Sequence, residues 1–522
     1  MGYLDAVVTT PGPAYDDVHK RMDVTYRIDE GDRFHLEAVT WAAAPAGDME
    51  LLIGMTRDYI GRPLGASLAD TVAARIRTWY RNQGRPTVRV QAELELHRER
   101  HTGSITVRVA PGPLVSVERI ELAGNPSVDG DFIRAMARVA EGDLLRSGRI
   151  REAERRLSDT GLFSEVWIAP LDPEGRLAEG AAGYDDAFQV PLALTVKEVK
   201  PHEMKVRLGY SDYERGIFGL EAGTRNAFGR GESLSLGATA SSRGYRTDGD
   251  VQFYPFAGRP VKGGAHAFYE DRDEISYALR HAGVSPAFKF TLGRMEELSA
   301  GMLFEWIETN DLILGVPTDA LTSFRVGAPF LSYTKDRRNS QLIPEKGYKL
   351  TARLELADSI SYGDISYWRA MAGYQKYFPV GPLVTFAGSL RTGVIAPFGD
   401  TAEIPLALRY FAGGVASVRG FNELELGPQA GGEFVGGEVF GAFQGELRWR
   451  IVEDLHAAVF YDVGNVYATV SDLDLGEVKS GAGCGLRYYT PAGAIRFDAG
   501  WNTDPQPGEE TVVLNFTIGM FF

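Results

Sequence analysis

The 522 residues contain a single cysteine, Cys484, so no intrachain disulfide can form, and the cysteine leaves the redox compartment undetermined. Its setting in Gly483-Cys484-Gly485, on an expected strand, suggests packing rather than chemistry. No uninterrupted apolar run approaches the roughly 20 residues that a helical membrane span requires, which excludes a helical membrane protein. Basic residues are in deficit: 55 Lys and Arg stand against 70 Asp and Glu, for a net charge of −15 and a pI near 5.2. Phosphate binding wants a basic surface, so nucleic acid is not an expected partner. Histidine is scarce, with 8 in the chain. Two of them, His97 and His101, are spaced i, i+4, but they fall at an expected hairpin tip before Thr102-Gly103, where helical spacing does not bring them together. Gly481-Ala482-Gly483-Cys484-Gly485 lacks the helix that a nucleotide loop needs. No nucleophile motif is found, so the chain reads as a non-enzyme without metal or cofactor. No signal-peptide pattern opens it.

What is present is alternation. In Gly347 to Ala357 the even positions hold Tyr348, Leu350, Ala352, Leu354 and Leu356, and the odd ones hold Lys349, Thr351, Arg353 and Glu355. From Glu203 to Tyr210, Met204, Val206, Leu208 and Tyr210 lie opposite Glu203, Lys205, Arg207 and Gly209. The last twelve residues repeat the pattern, with Val512, Leu514, Phe516, Ile518, Met520 and Phe522 on one face and only Val513 and Phe521 breaking the other. A strand shows this period when one face meets lipid and the other a polar interior. A half-buried soluble sheet gives the same local pattern; repetition over roughly 320 residues favours a membrane barrel. Sixteen strands are counted if Ile275 to Leu292 is one strand, and an even number returns the chain to the side it entered from.

The region before the barrel repeats itself. Phe34 to Val39 and Val115 to Ile120 each open a unit as a short strand. Helices are predicted over Met49 to Tyr59 and Leu68 to Gln83 in the first unit, and over Asp131 to Ala140 and Arg146 to Asp159 in the second. Val72, Ile76, Trp79 and Tyr80, like Ile150, Ala153 and Leu157, give a helix one buried stripe. Gly84 and Gly161 stand where C-cap glycines end a helix. Two strands close each unit, Thr87 to Leu96 with Ser104 to Ala110, and Phe163 to Leu171 with Ala187 to Val199. The order is βααββ, repeated after roughly 80 residues. Against that template Gly2 to Val8 and Met22 to Ile28 are the closing hairpin of a further unit. A hairpin alone is marginal in water, so the natural protein is expected to extend upstream, with the rest of that unit and a signal peptide. The expected division is a partial unit at 1–31, units at 32–112 and 113–200, and the barrel at 201–522, with a long inward-folded loop at about 396–439.

That loop carries Arg409-Tyr410-Phe411-Ala412-Gly413-Gly414, Ser417-Val418-Arg419-Gly420-Phe421 and Gly427-Pro428, and it is followed by Gly445-Glu446-Leu447-Arg448 and Phe460-Tyr461-Asp462-Val463-Gly464-Asn465. With βααββ repeats ahead of a barrel, these motifs resemble the Omp85 superfamily, whose repeats are called POTRA domains. Nearly the whole chain takes part in the resemblance, and the unit number is most like the TamA branch; a BamA-like factor is the neighbouring alternative. Alternation already points Leu447, Trp449 and Ile451 outward and Glu446, Arg448 and Arg450 inward, with Asp462 inward between Tyr461 and Val463. An arginine on a folded-in loop can reach those carboxylates in a fork-like contact. The alternative is three separately solvated lumen charges. The resemblance implies that Val418, Arg419, Gly420 and Phe421, with Glu446 and Asp462, lock the loop inside. It also implies a lateral gate between the first and last barrel strands, at Leu208, Gly209, Ile518, Gly519 and Phe522, where a client strand pairs with an open edge. The glycines alone would equally suit barrel curvature. The implied activity is insertion and assembly of unfolded outer-membrane proteins, autotransporters especially, in the outer-membrane bilayer. POTRA units in the periplasm would dock a TamB-like inner-membrane-anchored partner. A two-partner secretion transporter or channel using the lumen is the second reading, and lipid traffic a third.

Overall fold

The computed structural model describes residues 2–519 apart from 11, 17–20, 66, 173–174, 176, 178–185, 255–260, 294, 311–321, 359–361 and 491–492. The chain forms two compact units, Met1–Val199 and Lys200–Phe522.

Within the first unit the two βααββ repeats stand as expected. The strand His35–Ala43 is followed by helices Met49–Thr56 and Leu68–Asn82 and by strands Arg89–His97 and Thr102–Ala110. Thr102–Ala110 lies in the middle of this sheet, parallel to the first strand and antiparallel to Arg89–His97. The helix Leu68–Asn82 buries Val72, Ile76 and Tyr80 against it. Gly84, at φ 86°, turns the chain out of that helix through the left-handed region. The second repeat uses strands Leu114–Ala123, Phe163–Pro170 and Ala187–Glu198 around helices Gly130–Ala137 and Ser147–Asp159. Ala153 and Leu157 are buried, and the Asp129 side chain caps the shorter helix by accepting from the Asp131 N–H. Ahead of both repeats, Val7–Thr9 pairs with Arg27–Asp29, and Val7, Val8, Met22, Val24, Tyr26 and Ile28 are exposed.

The second unit is a closed barrel of sixteen strands, each antiparallel to its neighbours, from His202–Ser211 to Val512–Gly519. Ala278–Gly293 is a single strand, as the even count required. Alternation is realised as read: Met204, Leu208, Leu354, Leu356 and Leu514 stand on the outside, while Glu355 and Val513 are buried within. The inward loop runs over residues 398–438, between the strands Val384–Pro397 and Val439–Arg450. Cys484 is exposed on the outer face with Leu486 and Tyr488, so it does not pack inside the protein as expected. Its glycine neighbours face the lumen, and that is where the packing occurs. At the first repeat's hairpin tip His97 and His101 have separate partners, Ser104 Oγ at 3.4 Å and Asp32 at 3.1 Å.

Candidate functional site

The inward loop is built around a tight knot. Ser417 Oγ accepts from the Gly413 N–H at 2.7 Å and donates to the Gly413 carbonyl at 2.8 Å, and the Gly414 N–H donates to the Phe421 carbonyl at 3.0 Å. Gly413, Gly414 and Gly420 have φ values of 110°, 77° and 108°, a region closed to most side chains. Val418 and Phe421 are buried with Ala412, Leu426 and Val466, which anchors the knot to the barrel wall.

From that knot Arg419, 2% exposed, reaches the wall. Its Nε and Nη2 donate to the two Asp462 oxygens at 2.7 and 2.8 Å, its backbone N–H donates to Asp462 Oδ2 at 3.1 Å, and Nη1 donates to Glu446 Oε2 at 2.6 Å. The guanidinium lies 3.5 Å from the centre of the Phe460 ring. A bidentate fork, a third charged bond and a ring face together satisfy a cation that burial would otherwise penalise heavily. The structure thus brings together Arg419, Glu446 and Asp462, and they are not separately solvated charges.

The seam is thinly made. Among the described residues only Tyr210 and Ser211 of the first strand pair with the last, opposite Ile518 and Thr517. On its other flank the first strand is in register from His202 to Ser211. The Asp212 side chain adds one bond, accepting from the Phe516 N–H at 2.5 Å. Ile518 therefore faces Tyr210, not Leu208, whose register partner lies outside the described residues, as does Phe522. Gly209 sits where a Cβ would meet the Ile518 carbonyl at 3.0 Å. Gly519 has φ 119°, so it serves backbone geometry as well as sparse packing.

An Omp85 superfamily domain model matches residues 226–522, more than half of the chain. The chain belongs to the Omp85 superfamily. A POTRA model, described as a surface antigen variable number repeat, matches residues 115–198. Over its full length the chain is 23% identical to the outer membrane protein assembly factor BamA of Nitratidesulfovibrio vulgaris, covering 66% of it. It is 24% identical to BamA of Neorickettsia risticii over 79% of this chain and 56% of that one. The chain thus spans less than two thirds of each of these relatives, 66% of one and 56% of the other. Among solved structures, BamA from Haemophilus ducreyi lacking POTRA domains 1–3 superposes with a TM-score of 0.74 at 19% identity, covering 94% of this chain and 99% of that one. This Omp85 protein is accordingly an outer-membrane β-barrel with periplasmic POTRA units. These three proteins carry the BamA name, not that of the TamA branch expected from the unit number.

Two further charged residues of this Omp85 lumen, Arg487 and Asp498, escaped the sequence reading. Arg487 donates to Glu446 Oε2 at 2.9 Å and pairs with Asp498 at 2.5 Å, and Asp498 lies 3.8 Å from Arg419. Wall glycines make room for the loop: a Cβ on Gly481 would lie 1.8 Å from the Arg419 carbonyl, and one on Gly500 2.6 Å from the Gly420 nitrogen. The alternation of the strands Lys479–Thr490 and Gly493–Asn502 puts both glycines on the lumen side, and that was the available signal.

Proposed function

We propose that this protein is an outer-membrane assembly factor that folds and inserts β-barrel clients through a lateral gate at the seam of its first and last strands. The observation that carries the reading is the seam itself, where two residue pairs are formed among the described residues, in a barrel whose other neighbouring strands are paired along most of their length. Lipid offers no hydrogen bonds, so a strand edge released there is satisfied best by another strand. The assembly-factor relatives point the same way. On this reading the Arg419 knot, held by Glu446 and Asp462, is the lock that keeps the loop inside.

Buried Val418, Arg419 and Phe421 fill lumen space that a secretion conduit would need, so transport through the lumen is the weaker reading. A narrower version, with autotransporter clients and a TamB-like partner on the POTRA units, follows from the unit number alone. The BamA relatives favour a general factor.

The test replaces Cys484 with Ser and introduces Tyr210→Cys with Ile518→Cys, which face each other across the seam. Insertion of an autotransporter and of a simple porin-type client is followed in proteoliposomes. Oxidation is expected to block both and reduction to restore them. If insertion ignores the crosslink while polypeptide still crosses the membrane, the lumen is the route and the gate is discarded.

A further inference from the structure

A second cluster, outside the lock, lines the lumen at the end where the chain enters the barrel. His456, near the start of the strand Leu455–Tyr467, is 5% exposed, with its ring edge-on to Tyr489 at 5.1 Å. Among the described residues neither ring nitrogen has a hydrogen-bond partner. Buried polar groups are satisfied as a rule, so an imidazole with both nitrogens idle is a site waiting for a ligand. His456 lines a cavity of ≈ 50 Å³ together with Arg448, Arg450, Thr385 and Glu345. Among the described residues Arg448 commits only its Nε, to Glu446 at 2.7 Å. Arg450 reaches the Pro382 carbonyl at 3.2 Å and Glu345 at 3.5 Å.

The cavity lining sets Arg448 and Arg450 against one carboxylate, Glu345, and Asp454 also acts on His456; deeper in the wall the balance is similar. Arg419, Arg448, Arg487 and Arg496 share three carboxylates, Glu446, Asp462 and Asp498. Arg496 comes no closer than 3.8 Å to Asp498, and its Nε has no partner. In a protein of net charge −15 this local excess of cations is not a matter of composition. A water needs roughly 10–15 Å³ on the same measure of cavity volume, so the space suits a group of about four oxygens. Guanidinium donors arriving from two directions favour a tetrahedral anion over a single planar acceptor.

We propose that this cavity is an anion site taking one phosphate group, held by His456, Arg448 and Arg450. The group is either free phosphate from the periplasm or the phosphate of a lipid headgroup. Thr385 and Glu345 bound the site, with the Glu345 carboxylate 3.5 Å from Arg450.

Isothermal titration of the full chain in neutral detergent with inorganic phosphate tests this directly. Saturable binding is expected. His456→Phe keeps the ring against Tyr489 but removes both nitrogens, and Arg450→Gln removes one cation. Each should weaken binding about tenfold or more, the effect of one charge-assisted hydrogen bond. Circular dichroism identifies any variant that fails to fold, in which case the other variant and the wild-type titration decide. Repeating the titration in vesicles of a phosphate-free galactolipid with and without phosphatidylglycerol separates the sources. Loss of the signal with phosphatidylglycerol assigns the site to a headgroup, and persistence assigns it to free phosphate. Absence of saturable binding to the wild type, or unchanged binding by the folded variants, overturns the proposal.

Discussion

Around Arg419 the barrel wall is paired along its strands and pinned by buried ion pairs, whereas at Tyr210 and Ile518 the same sheet shows, among the described residues, two residue pairs and one bond from Asp212. The two regions are not far apart. Glu446, Asp462, Arg487 and Asp498 lie on four successive strands, and the last strand follows directly, in register with Gly493–Asn502 from Val512 to Gly519. The loop therefore binds the C-terminal strands into one plate whose free edge is the seam. Behind the seam both strands are paired, the first to Arg215–Thr224 and the last to Gly493–Asn502.

The comparison breaks most completely if the plate loses its centre. Arg419→Ala leaves Glu446 and Asp462 buried with one cation fewer, which costs about 3–5 kcal/mol for a buried pair broken on one side. The unfolding midpoint in detergent should fall accordingly, and a wild-type midpoint would show that the knot is not a lock. Gly481→Ala attacks the same contact from the wall. Its Cβ would meet the Arg419 carbonyl, so the loop must back away, at about 1–3 kcal/mol for an overpacked site. If both changes act by undocking the loop, the cost of Gly481→Ala should largely vanish in the Arg419→Ala background. Additive costs in the double variant would show that the glycine serves strand geometry instead.

Much of this was legible before any coordinates. Lipid outside and charge inside force a period of two, so the Glu203 to Tyr210 and Gly347 to Ala357 strands could be placed residue by residue, and Glu446 and Asp462 could be pointed inward. The repeats were legible because a helix stripe such as Val72, Ile76 and Tyr80 needs a sheet to cover it. The seam register was not. Its two strands lie at opposite ends of the barrel sequence, and no turn fixes their offset, so Tyr210 rather than Leu208 facing Ile518 had to come from the structure. Arg487 and Asp498 were missed because a lumen residue's partner is set by barrel shear, which alternation does not reveal. Cys484 was misplaced by reading its glycine neighbours as its packing environment, when strand alternation sends the cysteine outward and the glycines in.

The smallest expected effect sharpens the comparison by asking whether docking of the loop responds to pH. Glu423, in the same loop as Arg419, is pushed up to about 7 from a usual value near 4.5. Burial is the main cause; the Val415 N–H and Arg391 act against it, while Glu214 and Glu274 add to it. With the folded value above the unfolded one, the loop's contribution is complete below about pH 4.5 and declines as pH rises toward about 7, because the docked carboxyl resists ionisation that the undocked one accepts. Arg391 and Glu274 lie on or beside strands well away from the seam pair, whereas Glu214 follows the first strand and donates its N–H to Ser211 Oγ at 3.0 Å, so a link from the loop to the seam would run through Glu214. Unfolding midpoints of the wild type should therefore fall between about pH 5 and about pH 8, and Glu423→Gln, neutral throughout, should flatten that slope while leaving the rate of Tyr210→Cys to Ile518→Cys crosslinking unchanged. Equal slopes in wild type and variant would remove Glu423 from the docking energetics, and a changed crosslinking rate would show that the plate and the seam are coupled after all.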